Sequence, residues 1–307
     1  MGCGEMAISR IEELIYGVSD IRECSDFLEN WGLIKLEETS KGANFKTLEN
    51  QIVSLRLIGD ASLPPSHEVG STVREVIWGV DSLLDVDKIS NELSSDREVV
   101  SGSDGTIHCQ DDSGNYIGFK VSNFSEAKVH KNKLNFHEDI ARWNETIWPQ
   151  ERATPIRIGH VVYSIRSDGN WEAAEFYIKR LNFRLSDRSK DGGTFMRAEG
   201  SNFHHSIFLF HRQGTKQYFN HVAFEVNSFD EIMTGGQYML ERGAESVSGP
   251  GRHSLGSNCF WYFKNPCGGD IEYFADMDRL DDSWEPRYWE ESPPYARWMV
   301  GEDVLTG

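Results

Sequence analysis

The chain repeats itself, and a repeat limits the fold more than any single motif, because each copy must close the same local unit and bury its apolar face on its neighbours. The segment RIEELIYGVSDIRECSDFLENWGL, Arg10 to Leu33, reads as a strand, a short polar turn and an amphipathic helix stopping near Gly32. RIGHVVYSIRSDGNWEAAEFYIKRLNF, Arg157 to Phe183, has the same order. Aligned without gaps, Arg10 and Ile11 fall on Arg157 and Ile158, and Tyr16 on Tyr163. A weaker copy follows in each half, STVREVIWGVDSLLDVDKISNEL from Ser71 and QYFNHVAFEVNSFDEIMTGGQYMLERG from Gln217. After each helix come short alternating stretches such as TFMRAEG and HHSIFLFH, or CFWYFKN and GDIEYFA, the period of antiparallel strands. The unit is one strand, one helix and about three strands, used four times. The expected class is α+β, four βαβββ modules paired into two domains.

The two halves are expected at residues 1–136 and 156–280, joined by a polar linker over 137–155. Residues 281–307 form a tail holding Trp284, Trp289 and Trp298. So aromatic a tail is expected to be ordered. It should cover apolar surface on the second domain or a neighbouring subunit, with a lid beside a pocket as the alternative.

A length of 307 residues suffices for two domains, each with its own core. No apolar run reaches membrane-spanning length, and MGCGEMAISRIEE lacks the apolar stretch of a signal peptide, so a cytoplasmic protein without membrane contact is expected. The net charge of −18, with 49 acidic against 31 basic residues and no long basic block, argues against nucleic acid as a partner. Five scattered cysteines without a C-x-x-C pair point to reduced thiols and away from a cysteine zinc site. Cys259 and Cys267 read as small packing residues.

The repeat also acts as a control on the histidines. His160 aligns with Glu13, His221 with Glu75, and Glu272 with Gly118, so the trio belongs to the second half alone. In the run GDIEYF, Glu272 is either at a solvated edge or inside with a partner, because an unpaired buried charge is prohibitively costly. Two histidines and a carboxylate on separate strands suit a metal that keeps open positions, the arrangement of non-haem iron(II) oxygenases. A cation beside it would let Glu272 lie inside.

The motifs GHVVY, FNHVAFEV and YFKNPCGGDIEY, in that order, resemble the vicinal oxygen chelate superfamily and, within it, the type I extradiol ring-cleaving dioxygenases. The likeness runs from about Ile8 to Asp276 and departs at Asn265, where many members carry Asp or Thr. It implies two vicinal oxygen chelate domains, with His160, His221 and Glu272 holding Fe(II), or Mn(II), which accepts the same set. It implies an acid/base histidine in the His204-His205 pair, carried here to His205, with His204 an ordinary strand residue. His253 and Tyr262 would line the substrate site. The implied reaction is opening of a catechol-type ring beside its two hydroxyls by O2, giving a muconic semialdehyde type product in aromatic catabolism. A homo-oligomer is also implied. The alternatives are a glyoxalase-like metal-dependent isomerase or lyase of the same fold, and a protein that binds an aromatic ligand without chemistry.

Overall fold

The computed structural model describes residues 8–130, 133–147, 151–211, 214 and 216–301. Cys3 and residues 1–7 of the stretch assessed for a leader lie outside them.

Four modules follow one another. The first is β1 (Ile8–Val18), α1 (Ile21–Trp31), β2 (Ile34–Glu38), β3 (Gly42–Lys46) and β4 (Ile52–Leu57). The second is β5 (Thr72–Val80), α2 (Leu83–Leu93), β6 (Val100–Ser101), β7 (Ile107–Gln110) and β8 (Tyr116–Val121). The third is β9 (Arg157–Ile165), α3 (Asn170–Glu175), β10 (Arg184–Ser189), β11 (Gly193–Arg197) and β12 (Ile207–His211). The fourth is β13 (Tyr218–Glu225), α4 (Phe229–Glu241), β14 (Ser246–His253), β15 (Cys259–Lys264) and β16 (Asp270–Ala275). Within each module the first strand pairs parallel with the last, which needs a crossover, and the helix supplies part of it. Modules then join in pairs through antiparallel contact of their first strands, β1 with β5 and β9 with β13.

Register shows that the ungapped alignment is also spatial. Glu13 faces Ile77 where His160 faces Ala223, and Ile15 faces Glu75 where Val162 faces His221. Ile77 lies beside Gly118 where Ala223 lies beside Glu272.

Local chemistry sets the helices. Asp20 caps α1 by accepting the Glu23 amide at 3.0 Å, and Ile21, Cys24, Leu28 and Trp31 recur on its buried face. The helix ends at Gly32, whose φ of +103° is left-handed; a Cβ there would also meet the Ala153 carbonyl oxygen at 2.2 Å. Ser228 caps α4 in the same way, accepting the Glu231 amide.

The expected pair of separate cores is instead one continuous apolar cluster running through both halves. Trp31 at the end of α1 explains the join. Its indole stacks on Tyr273 of β16 at 3.5 Å between ring centres, and the Tyr273 hydroxyl donates to the Trp31 carbonyl at 2.7 Å. Gln51 adds a polar clasp, donating to the Ile11 and Ile158 carbonyls and accepting the Ile158 amide. The linker's end is part of the same seam, with Ala153 fully buried.

The tail is not a separate cover. Strand β17 (Arg287–Trp289) pairs parallel with β10, and β18 (Ala296–Met299) pairs antiparallel with β14, so the tail extends the second sheet at both ends. Among the described residues no helix is long and apolar enough to cross a membrane. The described cysteines, Cys24, Cys109, Cys259 and Cys267, are buried and free.

Candidate metal centre and active site

His160, His221 and Glu272 come from β9, β13 and β16, three adjacent strands, and point to one interior spot. His160 Nε2 is 3.1 Å from Glu272 Oε2, His221 Nε2 is 3.4 Å from the same oxygen, and the two Nε2 atoms are 3.4 Å apart. Each histidine follows a residue skipped in the β9–β13 register, Gly159 before His160 and Asn220 before His221. Such bulges re-aim a neighbouring side chain. At Gly159 any side chain would strike the Phe274 ring, which a Cβ would meet at 2.2 Å.

The donor set fits a cation. Ligands about 2.1 Å from one ion and at right angles stand about 3 Å apart, close to what is seen. His221 Nδ1 donates to Asn220 Oδ1 at 2.7 Å, so a neutral His221 turns a bare Nε2 lone pair toward the carboxylate. Two acceptors facing each other in a buried place are unfavourable, and a shared cation resolves the conflict. Glu272 is fully buried (0% exposed) and takes a further hydrogen bond from Asn258 at 3.1 Å. Burial by itself would push its carboxyl up; positive charge at the place where His160 and His221 converge on it, from imidazole N–H groups or from a shared cation, holds it well below the usual carboxylate range.

A cavity of about 460 Å³ opens above this spot, lined by His160, His221, His205, His253 and Tyr262 and walled by apolar side chains that include Val162, Phe195, Phe208 and Leu255. The His205 ring lies 4.1 Å from that of His160. Burial, reinforced by the surrounding histidines, pushes His205 well below the ordinary histidine value, so it is neutral near pH 7. Burial likewise lowers His253 to about 4. His253 Nε2 meets the Tyr262 hydroxyl at 3.0 Å, and burial followed by the nearby Glu272 charge pushes that phenol well up. Tyr262 is therefore a neutral hydrogen-bonding group.

All six residues singled out from the sequence meet here. His204 does not behave as an ordinary strand residue. The pair precedes β12 in irregular backbone, where the His204 amide bonds the Asp278 carbonyl instead of a ladder partner. Freed from strand alternation, the two rings approach each other, with 3.0 Å between their Nδ1 atoms, and His204 is fully buried. Sequence reasoning also passed over Asn258, Tyr295 and Asp187. Asn220 carried a signal, standing next to His221, whereas the other three are brought in by distant pairing.

The equivalent spot in the first half is filled differently. Glu13 pairs with Lys120 at 2.5 Å, and Glu75 with His108 at 2.7 Å. A lysine ammonium takes the place that a metal's charge would need.

Comparison with known proteins agrees with this architecture. Residues 157–273 match the Glyoxalase/Bleomycin resistance protein/Dioxygenase superfamily. The second half thus matches that superfamily, and the chain as a whole has a two-domain α+β fold. A protein named Metapyrocatechase 2 from Cupriavidus necator is 35% identical over 130 residues, 42% of this chain and 39% of that protein. An iron-dependent extradiol dioxygenase from Rhodococcus jostii (strain RHA1) is 30% identical over 163 residues, 49% of this chain and 52% of that protein. The chain thus spans about half the length of these curated relatives, 39% of one and 52% of the other. The Mn(II)-bound glyoxalase from Novosphingobium aromaticivorans superposes with a TM-score of 0.75 at 23% identity, covering 98% of this chain and 93% of its own. That likeness establishes fold alone.

Proposed function

We propose that this protein is an extradiol dioxygenase that opens a catechol-type ring with O2, using Fe(II) held by His160, His221 and Glu272. The observation that carries the reading is the convergence of these three donors under an apolar cavity that also presents His205, His253 and Tyr262. The names of the two curated relatives support it. Mn(II) is the second candidate for the same donors.

When bound, the metal supplies a Lewis-acidic centre for the two catechol oxygens and a redox path to O2. His205, kept neutral by burial, receives the proton of a catechol hydroxyl at Nε2 and later returns it. Tyr262, whose hydroxyl hydrogen goes to His253, presents its oxygen to a catechol hydroxyl, and the pair holds the ring in register. The phenylalanine walls pack on the ring and exclude water.

The cavity also favours one kind of substituent. Among the described residues no Lys or Arg lines it, and the lining Asp270 is paired with Lys264 at 2.9 Å. A carboxylated catechol would bury its charge unpaired, so an alkyl or aryl substituent is favoured.

The test is anaerobic purification with metal analysis, then aeration with catechols bearing alkyl, aryl or carboxylate groups, followed by the colour of the ring-opened product. About one iron per chain with a yellow product, strongest for the apolar catechols, is expected. Metal without product on any catechol would transfer the assignment to a metal-dependent isomerase or lyase, a reading that the glyoxalase-like fold keeps in play. A chain that retains no metal would point to a binding protein.

A further inference from the structure

We propose that Asp187 is a positioning residue: acting through His204, and held in turn by the C-terminal tail, it fixes which ring nitrogen of His205 carries hydrogen. The proposal rests on the role given to His205 above.

Asp187 lies on β10 and is fully buried (0% exposed). It meets four N–H bonds. Arg287 grips both oxygens, Nε to Oδ1 at 2.8 Å and Nη2 to Oδ2 at 2.6 Å. Trp289 Nε1 donates to Oδ1 at 2.7 Å, and His204 Nε2 approaches Oδ2 at 2.7 Å. Strand pairing delivers these donors, because β17 runs parallel to β10 with Arg287 beside Asp187. A carboxylate gripped by a guanidinium fork stays ionised and can only accept. His204 Nε2 therefore carries the hydrogen.

The rest follows by donor and acceptor counting. A neutral His204 with hydrogen on Nε2 offers a lone pair at Nδ1, 3.0 Å from His205 Nδ1. His205 Nδ1 must then donate, which leaves its Nε2 as the acceptor available to a substrate in the cavity. The tail handles His253 in a parallel way. The Tyr295 carbonyl, at 3.1 Å, accepts from His253 Nδ1, so His253 Nε2 is free to accept from the Tyr262 hydroxyl. Both cavity histidines thus take the same tautomer, and in both cases the tail determines it. An Asp187 that served only to anchor the tail would need Arg287 alone; the buried His204 link to the cavity would have no purpose.

Two measurements decide the matter. The first is histidine-ring nitrogen NMR on the metal-free full chain, with the His205→Phe spectrum identifying the His205 signals. Hydrogen on His205 Nδ1 is expected in the wild type, and a shift of population toward Nε2 in Asp187→Asn. The second is a double-mutant cycle on catechol turnover. Asp187→Asn should lower kcat by about 10–100-fold with KM unchanged, the range found when a group orienting a site histidine is removed. In a His205→Phe background the same change should cost nothing more. Trp289→Phe, which removes one donor and keeps the ring packing, should shift the nitrogen populations the same way to a smaller extent, and it serves if Asp187→Asn does not fold. Hydrogen on His205 Nε2 in the wild type would overturn the proposal, as would an equal loss from Asp187→Asn with and without His205. A wild type that turns over no catechol would sink the dioxygenase reading, while the nitrogen spectra would still decide the tautomer.

Discussion

Glu272 has no solvent contact, and the chemistry proposed here depends on what compensates its charge. Glu272→Gln keeps the shape and removes the charge, so iron per chain after dialysis should fall well below wild type; His160→Ala should lose the metal outright. Retention at the wild-type level in either variant would remove that residue from the ligand set. His205→Phe should keep metal and bind catechol while turnover drops by about 10²–10⁴-fold, the usual worth of a placed acid/base group. At the equivalent spot of the first half, the hydrogen bond to Glu75 raises His108 despite burial. A raised folded value means that the pair's contribution to stability is complete below about pH 6.5 and is lost as pH rises through the folded value. Melting at pH 6 and pH 8.5 should therefore show wild type losing a small advantage over His108→Gln at the higher pH, within about 1 kcal/mol because the imidazole is one-third exposed. His160, His221 and Glu272 were legible because the first half supplies the same strands without them. His204 was not, because alternation along a strand would send neighbouring side chains to opposite faces, and the bend before β12 breaks that rule.

At the scale of elements, α1 and the tail do more than their own modules require. Trp31 closes the helix and stacks on Tyr273, the residue next to Glu272, so it supports the outer face of the strand that carries the carboxylate. Trp31→Ala should cost about 3–5 kcal/mol in denaturant unfolding, as large-to-small changes of buried aromatics do. A loss below about 1 kcal/mol would mean that the seam between the halves does not depend on it. The strand and helix order of all four modules was readable, since periodicity and capping are local. The strands of the tail were not. RYW and ARWM are too short to declare themselves, and they become strands only because β10 and β14 offer open edges.

The molecule as a whole leaves apolar side chains uncovered along the stretch between its halves. Phe136 is 63% exposed and Trp143 is 74% exposed, with Leu134 and Ile140 nearby in sequence. Exposed apolar surface of this kind is where a contact between subunits would sit. Replacing Phe136 and Trp143 together by Ser should lower the mass measured by sedimentation, and an unchanged mass would place any subunit contact elsewhere. The repeat, the module order and the choice of His160, His221 and Glu272 as a converging trio were legible in the sequence alone, because each is written in local period or in a difference between two copies of one unit. The single shared core, the Asp187–His204 link and the tail's place at the cavity were decided only by tertiary structure, because each joins residues far apart in sequence through strand pairing and burial that no local pattern records.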